Sequence, residues 1–366
     1  MKKLFSLVAV LLSMALLVAC GAPAASSVPA APSGSAAENT DKPYAGKTLT
    51  LSIFAIMTDS YDQLVFDQFE EMTGCEIVVE TGSSSERFAK VQNNPNSGID
   101  VIVLSQQAAN QGYEQGLFEE IDYSRVPNAE NLVSGAQKFV ERHQAPPYEL
   151  NQLGIIYDPA VVNAEDIQEY TDIFNPEFKD SIAIPNITST YGPVMVDIAA
   201  KHAGVDFTED GGEAAFKALE ELKPNLVQVY SSSSEIKNMF ATGEISIALA
   251  GNFAYSMLGE DTEMVWFVPE SGGYMDFNTM NVLKSSENKD LAYEFINYMI
   301  DLETQTRFCD GLPSSGVNVK LDPAIAERHP DTTSIAVAEK SHAMDYADVQ
   351  PLFADWVDQW NRLMAE

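Results

Sequence analysis

The chain has 366 residues, with 21 Lys and Arg against 54 Asp and Glu and a formal net charge of −33. This acidic balance argues against nucleic acid as a partner, because phosphates require a basic surface, and against attachment to anionic lipid by charge. Hydrophobic residues make up 45% of the sequence, so a chain of this length can bury the cores of two ordinary domains.

The N-terminal residues are typical of an export signal. Lys2 and Lys3 precede an apolar run that is short for a membrane span and fits a secretory signal peptide. The run ends in Leu-Val-Ala-Cys-Gly, which resembles a bacterial lipobox and implies that residues 1–19 are removed and Cys20 is lipidated. An uncleaved anchor with an incidental cysteine is the alternative. Residues 20–45, rich in Ala, Pro, Ser and Gly, are predicted to be a flexible tether.

Strand-like and helix-like segments then alternate. The predicted strands cover residues 48–53, 76–80 and 99–104, and the predicted helices cover 61–73, a segment opened by a Ser83–Glu86 capping box, and 105–115. This alternation predicts a mostly parallel β-sheet covered by helices.

The same pattern resumes after Tyr157. The predicted strands are 181–184, 227–230, 245–250 and 264–268, and the predicted helices are 193–202, 213–222, 235–242 and a short one after Asn252. The α/β units therefore span about 46–150 and 155–262.

A third section, 270–366, contains a strand at 278–283, a helix at 289–300, a second helix to about Cys309, and a final helix. One face of the final helix is apolar, which predicts core packing for Phe353, Trp356, Val357, Trp360 and Met364.

Two cysteines follow the signal segment, Cys75 and Cys309. In an oxidising compartment they could form a disulfide, and as two lone buried thiols they could equally stay reduced. The sequence does not decide between these, because it does not show whether the residues come within bonding distance.

Polar segments recur just after predicted strands and just before helices. They are Phe54–Ser60, Thr81–Ser85, Ser105–Gln107, Asn186–Tyr191, Ser231–Ser234 and Gly251–Tyr255. In open α/β sheets ligands bind at this edge, where helix N-termini present unpaired N–H groups. In Ser231–Ser234 one serine is enough to cap a helix, so we expect Ser232 and Ser233 to face a solute. A mobile, serine-rich surface loop is the alternative.

Recognisable catalytic groups do not accompany these segments. The four histidines are isolated, with no metal-ligand spacing, and the sequence has no G-x-S-x-G elbow, phosphate-binding loop or dinucleotide fingerprint. We therefore predict a binding protein with no catalytic residues, no metal site and no cofactor. A lipid-anchored enzyme on the same fold is a weaker hypothesis, as is a surface adhesin.

Several segments, taken in order, resemble the extracellular solute-binding proteins of ABC importers, specifically the spermidine/putrescine-binding group. They are FDQFEEMTGCEIVVE, GIDVIVLS, EQGLFEEID, LGIIYD, FNPEFKDSIAIPN, LKPNLVQVYSS, GEISIALAG and NKDLAYEFINYM. The resemblance implies a type II periplasmic-binding-protein-like α/β fold, in which two lobes, each a mostly parallel sheet flanked by helices, enclose a ligand cleft.

By the same resemblance, residues 46–150 and 270–366, including the C-terminal helices, form the first lobe, and 151–269 form the second. The chain is expected to cross between lobes near 147–156 and 269–282. The implied partners are a small solute, permease subunits and the membrane through the lipid anchor, and the implied oligomeric state is a monomer. The implied location is the outer face of the cytoplasmic membrane.

The resemblance also implies a polyamine-type ligand, held by carboxylates and aromatic rings. The match is partial: Asn186 and a neighbour within 188–190 stand at the family's second-lobe acidic pair, and Asp276 and Asn278 stand at its late Trp-x-Asp. Asp276 is the one well-placed carboxylate. The hydroxyl-rich helix N-termini instead favour an anionic or zwitterionic solute, such as a carboxylate or phosphonate, so both classes stay open.

The candidate ligand-binding residues combine the polar segments with the possible aromatic walls of the cleft. They are Phe54, Ser83, Ser84, Ser105, Gln107, Asn186, Thr188, Thr190, Tyr191, Tyr230, Ser232, Ser233, Asn252, Tyr255, Tyr274, Asp276 and Asn278.

Overall fold

One β-sheet runs through the whole protein in the computed structural model, which describes residues 42–54, 58–259, 262–312, 314–329 and 332–365. The predicted signal peptide, the lipidation site Cys20 and most of the tether lie outside these residues. The strands are β1 (Thr48–Ile53), β2 (Glu76–Thr81), β3 (Val101–Ser105), β4 (Pro147–Tyr157), β5 (Ile182–Pro185), β6 (Leu226–Tyr230), β7 (Ile247–Gly251), β8 (Val265–Phe267), β9 (Tyr274–Val282) and β10 (His342–Ala343).

The sheet has a parallel group at each end and two antiparallel strands in the middle. Its order is β2-β1-β3-β9-β4-β7-β5-β6, with β8 beside β4 and β10 beside β9. The pairs β1–β2, β1–β3, β5–β6 and β5–β7 are parallel, whereas β9 and β4 are antiparallel to each other and to β3 and β7. β4 and β9 are the long strands at the two predicted crossings. β9 pairs with β3 of the first group, β4 pairs with β7 of the second, and the two strands pair with each other.

Helices cover both groups of strands. They are α1 (Thr58–Tyr61), α2 (Asp67–Thr73), α3 (Ser84–Asn93), α4 (Gln106–Glu114), α5 (Gln137–Glu141), α6 (Gly192–Ala203), α7 (Phe207–Asp210), α8 (Glu213–Leu222), α9 (Ser233–Thr242), α10 (Asn252–Ser256), α11 (Lys289–Met299), α12 (Leu302–Gly311), α13 (Ala324–Arg328), α14 (Ile335–Ala338) and α15 (Tyr346–Ala365). A π-helical stretch, Asp62–Phe66, joins α1 to α2.

The buried apolar residues form a large cluster on each side of the central strands. One cluster combines β1 and β3 with α11 and α12, and it contains Cys75 and Cys309, both free thiols. The other combines β5, β7, α6 and α8. Two smaller clusters cover the opposite faces of the two strand groups. The sheet is therefore packed on both faces, as parallel strands require.

The last helix differs from the prediction. The sequence reading placed 270–366, with its C-terminal helices, in the first lobe, but α15 packs against the second cluster. Trp356 and Trp360 are fully buried, as predicted from their spacing. The indole N–H of Trp356 donates to the Gly211 carbonyl at 2.7 Å, and its ring meets Phe207 edge-on. Phe207, Trp356 and Trp360 belong to the second cluster, so the chain returns to that cluster after β10.

Trp356→Ala is expected to lower the free energy of unfolding by about 3–5 kcal/mol, because it leaves a large cavity and an unpaired Gly211 carbonyl. Urea unfolding followed by circular dichroism measures the change. Asp358→Ala, at an exposed position of the same helix, is the control and should change stability by at most about 0.5 kcal/mol. Equal effects of the two substitutions would contradict docking of α15 on this core.

Candidate ligand-binding site

A cavity of about 640 Å³ lies between the two strand groups. Its walls come from the first group and its helices, from the central strands, and from the second group. The lining residues are Leu51, Ile53, Phe54, Tyr61, Phe66, Ser84, Val101, Val103, Ser105, Tyr148, Glu149, Asn151, Thr190, Ser233, Asn252, Phe253, Ser256, Met257, Asp276, Asn278, Met280, Phe295, Phe308, Leu312 and Ser314.

Four polar side chains on the central strands form the floor of this cavity. Glu149 lies opposite Asn278, and Asn151 lies opposite Asp276, across the antiparallel pair of β4 and β9. Alternate residues of a strand point to the same face, so both pairs face the cavity. Glu149 and Asp276 are diagonal neighbours in this arrangement, which typically places such residues about 7–8 Å apart.

Glu149 is tied to both sides of the floor. Its Oε2 accepts a hydrogen bond from Asn278 Nδ2 at 2.9 Å, and its Oε1 accepts one from the Ser314 hydroxyl. Burial raises the pKa of the Glu149 carboxyl, and the hydrogen bonds from Ser314 and Asn278 oppose this rise. Both bonds orient the carboxylate toward the cavity and leave acceptor positions for a further donor.

Asp276 is the more strongly perturbed carboxyl. It is 4% exposed, and burial raises its pKa to about 8, against a small opposing effect of the Phe277 backbone N–H. The described residues on the cavity wall include no Lys, Arg or His. A positive charge that entered the cavity would therefore favour the ionised form of Asp276.

Aromatic rings surround the floor. Phe54, Tyr61 and Tyr148 lie on the first-lobe side, and Phe253 lies on the second-lobe side, where it stacks on Tyr191 with ring centroids 6.3 Å apart. Phe253 is 43% exposed. Aromatic faces bind alkyl chains and attract cations.

Arg87 lies behind the first-lobe wall, with its guanidinium carbon 4.5 Å from the centroid of the Phe54 ring. It donates to the carbonyls of Ser52, Val103 and Gly82, which joins the carboxyl ends of β1 and β3 to the start of α3. Burial lowers its pKa to about 10, so it remains charged at neutral pH.

Eight of the candidate residues predicted from sequence line the cavity. They are Phe54, Ser84, Ser105, Thr190, Ser233, Asn252, Asp276 and Asn278. The remaining candidates are Ser83, Gln107, Asn186, Thr188, Tyr191, Tyr230, Ser232, Tyr255 and Tyr274, which lie outside its wall. Ligand contact by any of the seventeen stays a prediction.

Helix starts and turns account for four of the polar candidates outside the wall, Ser83, Asn186, Thr188 and Ser232. Ser83 is the N-cap of α3, in the predicted capping box with Glu86. Asn186 accepts hydrogen bonds from the backbone N–H and hydroxyl of Thr188. Ser232, which we expected to face a solute, is instead the N-cap residue of α9, and its hydroxyl donates to Glu235 at 2.9 Å. Ser83 and Ser232 therefore stand at the starts of the helices whose first residues are Ser84 and Ser233, and Asn186 and Thr188 stabilise the turn before Thr190.

The tyrosine candidates are held elsewhere by hydrogen bonds or ring contacts. The Tyr230 hydroxyl donates to the Leu249 carbonyl at 2.8 Å inside the second lobe. Tyr255 stacks on Trp266, and Tyr191 is buried behind Phe253. Tyr274 donates to Asp197 at 2.6 Å, in a polar cluster with Lys201 outside the cavity.

Sequence reasoning missed several wall residues. They are Tyr61, Tyr148, Glu149, Asn151, Phe253, Ser256, Met257 and Ser314, besides the apolar core residues. A signal was present for two of them, since Glu149 and Asn151 are polar at alternate positions of a strand predicted to cross between lobes.

Among the residues that the structure describes, no group of three or more His, Cys, Asp or Glu side chains is arranged to hold a metal ion. Nor does any helix there combine the length and apolarity needed to cross a membrane.

Solved structures support the fold. An ABC transporter structure from Clostridium perfringens ATCC 13124 is 44% identical, with a TM-score of 0.80 over 86% of this chain and 99% of that one. The spermidine/putrescine ABC transporter substrate-binding protein PotD from Streptococcus pneumoniae is 20% identical, with a TM-score of 0.70 over 87% and 99%. The predicted solute-binding-protein fold is confirmed.

Sequence comparisons agree with the fold. The spermidine/putrescine-binding periplasmic protein of Salmonella typhimurium is 22% identical over 309 residues, which cover 80% of this chain and 86% of the relative. The putrescine-binding periplasmic protein PotF of Escherichia coli K12 is 23% identical over 281 residues, covering 70% and 75%. The family described as bacterial extracellular solute-binding protein matches residues 65–331. The chain therefore belongs to the bacterial extracellular solute-binding proteins.

Proposed function

We propose that this protein captures a small organic solute with an ammonium group outside the cytoplasmic membrane and delivers it, as a monomer, to the permease of an ABC importer. The observation that carries the ligand class is the pair of carboxyls, Glu149 and Asp276, on the floor of a cavity whose described wall has no basic side chain. Amines of the spermidine and putrescine type are the solutes named for the relatives.

The physical argument concerns desolvation. A buried ammonium requires an opposite charge, and both floor carboxyls have pKa values that burial raises. When an ammonium binds near Asp276, it compensates the negative charge of the carboxylate in place of the carboxyl proton. Binding therefore releases a proton. Asn151, Asn278 and the serines of the wall offer further hydrogen bonds to the solute.

A second ligand class, an anionic or zwitterionic solute, is supported by the first lobe. Arg87 Nη2 and Ser84 Oγ are buried and have no hydrogen-bond partner among the described residues. The Phe54 ring covers the guanidinium, however, so an anion reaches it only if Phe54 moves. We place this class second, because Asp276 faces the cavity without such a cover. Binding without turnover is proposed in either case.

The affinity for putrescine is expected to fall about tenfold for each pH unit below 8. The pKa of Asp276 is raised to about 8, so below that pH the ammonium must displace a proton, whereas above it the carboxylate is already ionised. Isothermal titration calorimetry in two buffers of different ionisation enthalpy measures both the affinity and the released proton. A solute whose affinity rises as the pH falls would point to the anionic class.

Asp276→Asn is expected to weaken putrescine binding at least about tenfold above pH 8, because hydrogen bonds to charged groups contribute about 1.5–3 kcal/mol. The unliganded protein should become more stable at neutral pH, because Asn removes the cost of the raised pKa of Asp276. Asp100→Asn is the control: this buried carboxylate accepts from Thr50 N and Ser286 Oγ away from the cavity. It should lower stability and leave affinity unchanged, and the reverse pattern would exclude Asp276 from the site.

We also propose that Cys20, outside the described residues, carries the lipid that holds the protein at the membrane. Its support is the lipobox-like sequence at residues 17–21 and the extracellular assignment of the family. Cys20→Ala is expected to release the protein or leave its signal peptide uncleaved, as cell fractionation with N-terminal sequencing would show. A membrane-bound, correctly processed mutant would contradict the anchor.

A further inference from the structure

The cavity continues from the polar floor into the core of the first lobe. This branch, the apolar shaft, is lined by Leu51, Ile53, Phe66, Val101, Val103, Met280, Phe295, Phe308 and Leu312. None of these side chains carries a polar hydrogen-bonding group. The floor offers two carboxyls, whereas the shaft offers only alkyl and aryl surface, so the two ends of one cavity select different parts of a ligand.

The fold builds the shaft between the sheet and the helices that cover it. One wall is the sheet, where Leu51 lies beside Val101 and Val103 beside Met280 in the strand register. The opposite wall comes from α11, α12 and the π-helical stretch Asp62–Phe66. Such π-helical turns are rare and are frequent at functional sites.

Two tyrosines stand where the shaft meets the floor. The hydroxyls of Tyr61 and Tyr148 are 3.5 Å apart, and the Phe308 ring lies 5.3 Å from the Tyr61 ring and 5.8 Å from the Tyr148 ring, centroid to centroid. Burial raises the pKa values of both tyrosines, and the charge of Glu149 raises them further. Glu149, the residue after Tyr148 on β4, also lines the cavity and lies at the mouth of the shaft.

Charge decides what the shaft can hold. A second ammonium pushed into it would leave water without meeting a carboxylate, which is strongly unfavourable. An alkyl or aryl group is favoured there instead, by about fourfold in affinity for each methylene that it buries. The polar Asn and Ser side chains around the floor give no comparable preference for apolar groups.

We propose that the solute is an amine whose ammonium lies on the Glu149–Asp276 floor and whose single large substituent, apolar and of aromatic size, fills the apolar shaft. A linear polyamine, charged at both ends, fits this arrangement less well. The inference rests on the proposed function, because it takes an ammonium at the floor as given, and it adds the nature of the group attached to that ammonium.

Three probe amines separate the possibilities: 2-phenylethylamine, ethylamine and putrescine, titrated calorimetrically at about pH 8.5, above the pKa of Asp276. We expect 2-phenylethylamine to bind at least about tenfold more tightly than either of the others. Ethylamine shares the head group but lacks the ring. Its binding is measured by its displacement of bound 2-phenylethylamine.

A variant that fills the shaft then locates the ring. Val103→Leu adds one methylene to the shaft wall and should weaken 2-phenylethylamine binding several-fold while leaving ethylamine unaffected. Val282→Leu, in the same core but outside the cavity wall, is the matched control and should change neither affinity. Val101→Leu replaces the first variant if Val103→Leu does not fold, as judged by thermal melting.

The outcomes distinguish this inference from the function on which it rests. If putrescine binds more tightly than 2-phenylethylamine, the proposal of an apolar substituent is overturned, and the proposed function of binding an ammonium solute stands. Equal weakening of 2-phenylethylamine and ethylamine by Val103→Leu shows that the ring does not enter the shaft. Failure of all three amines to bind overturns the proposed function as well.

Discussion

The antiparallel pairing of β4 and β9 is the interaction on which the rest of the structure depends. These strands join the two parallel groups into one sheet, because β9 pairs with β3 of the first group, β4 pairs with β7 of the second, and the two pair with each other. Their pairing also sets Glu149 beside Asn278 and Asn151 beside Asp276. A shift of one residue would turn every one of these side chains to the opposite face. The same hydrogen bonds between β4 and β9 therefore connect the lobes and hold the floor of the site together.

Much of this arrangement follows from local pattern. The strand-helix alternation and the apolar runs predict the parallel groups, because strands buried on both faces read as continuous apolar stretches. The spacing of Trp356 and Trp360 likewise predicts a buried helix face. The partner of that face does not follow, since an amphipathic helix packs on any apolar surface that the chain lets it reach. The cluster on which α15 packs therefore does not follow from its sequence.

The site was harder to predict for a related reason. A loop sequence shows which polar groups are present, but not which of them the backbone already uses. Ser232 and Ser233 are adjacent and chemically identical, yet the first hydroxyl is bound to Glu235 and the second lies on the cavity wall. To predict that Glu149 lies on the cavity floor requires the strand register, which depends on partners more than a hundred residues away in sequence.

The same floor explains why a binding protein keeps two carboxyls at a cost in stability. A protonated Asp276 avoids a buried charge when the cavity holds no cation, and an ionised one compensates a cation that arrives. Because the Asp276 carboxyl of the unfolded chain would ionise near pH 4, the raised pKa makes the native state progressively less stable as the pH rises from about 4 to about 8. A bound ammonium reverses this loss. The Asp276 carboxyl thus both destabilises the unliganded protein and selects the ligand, so a substitution that removes the destabilisation also removes the selectivity.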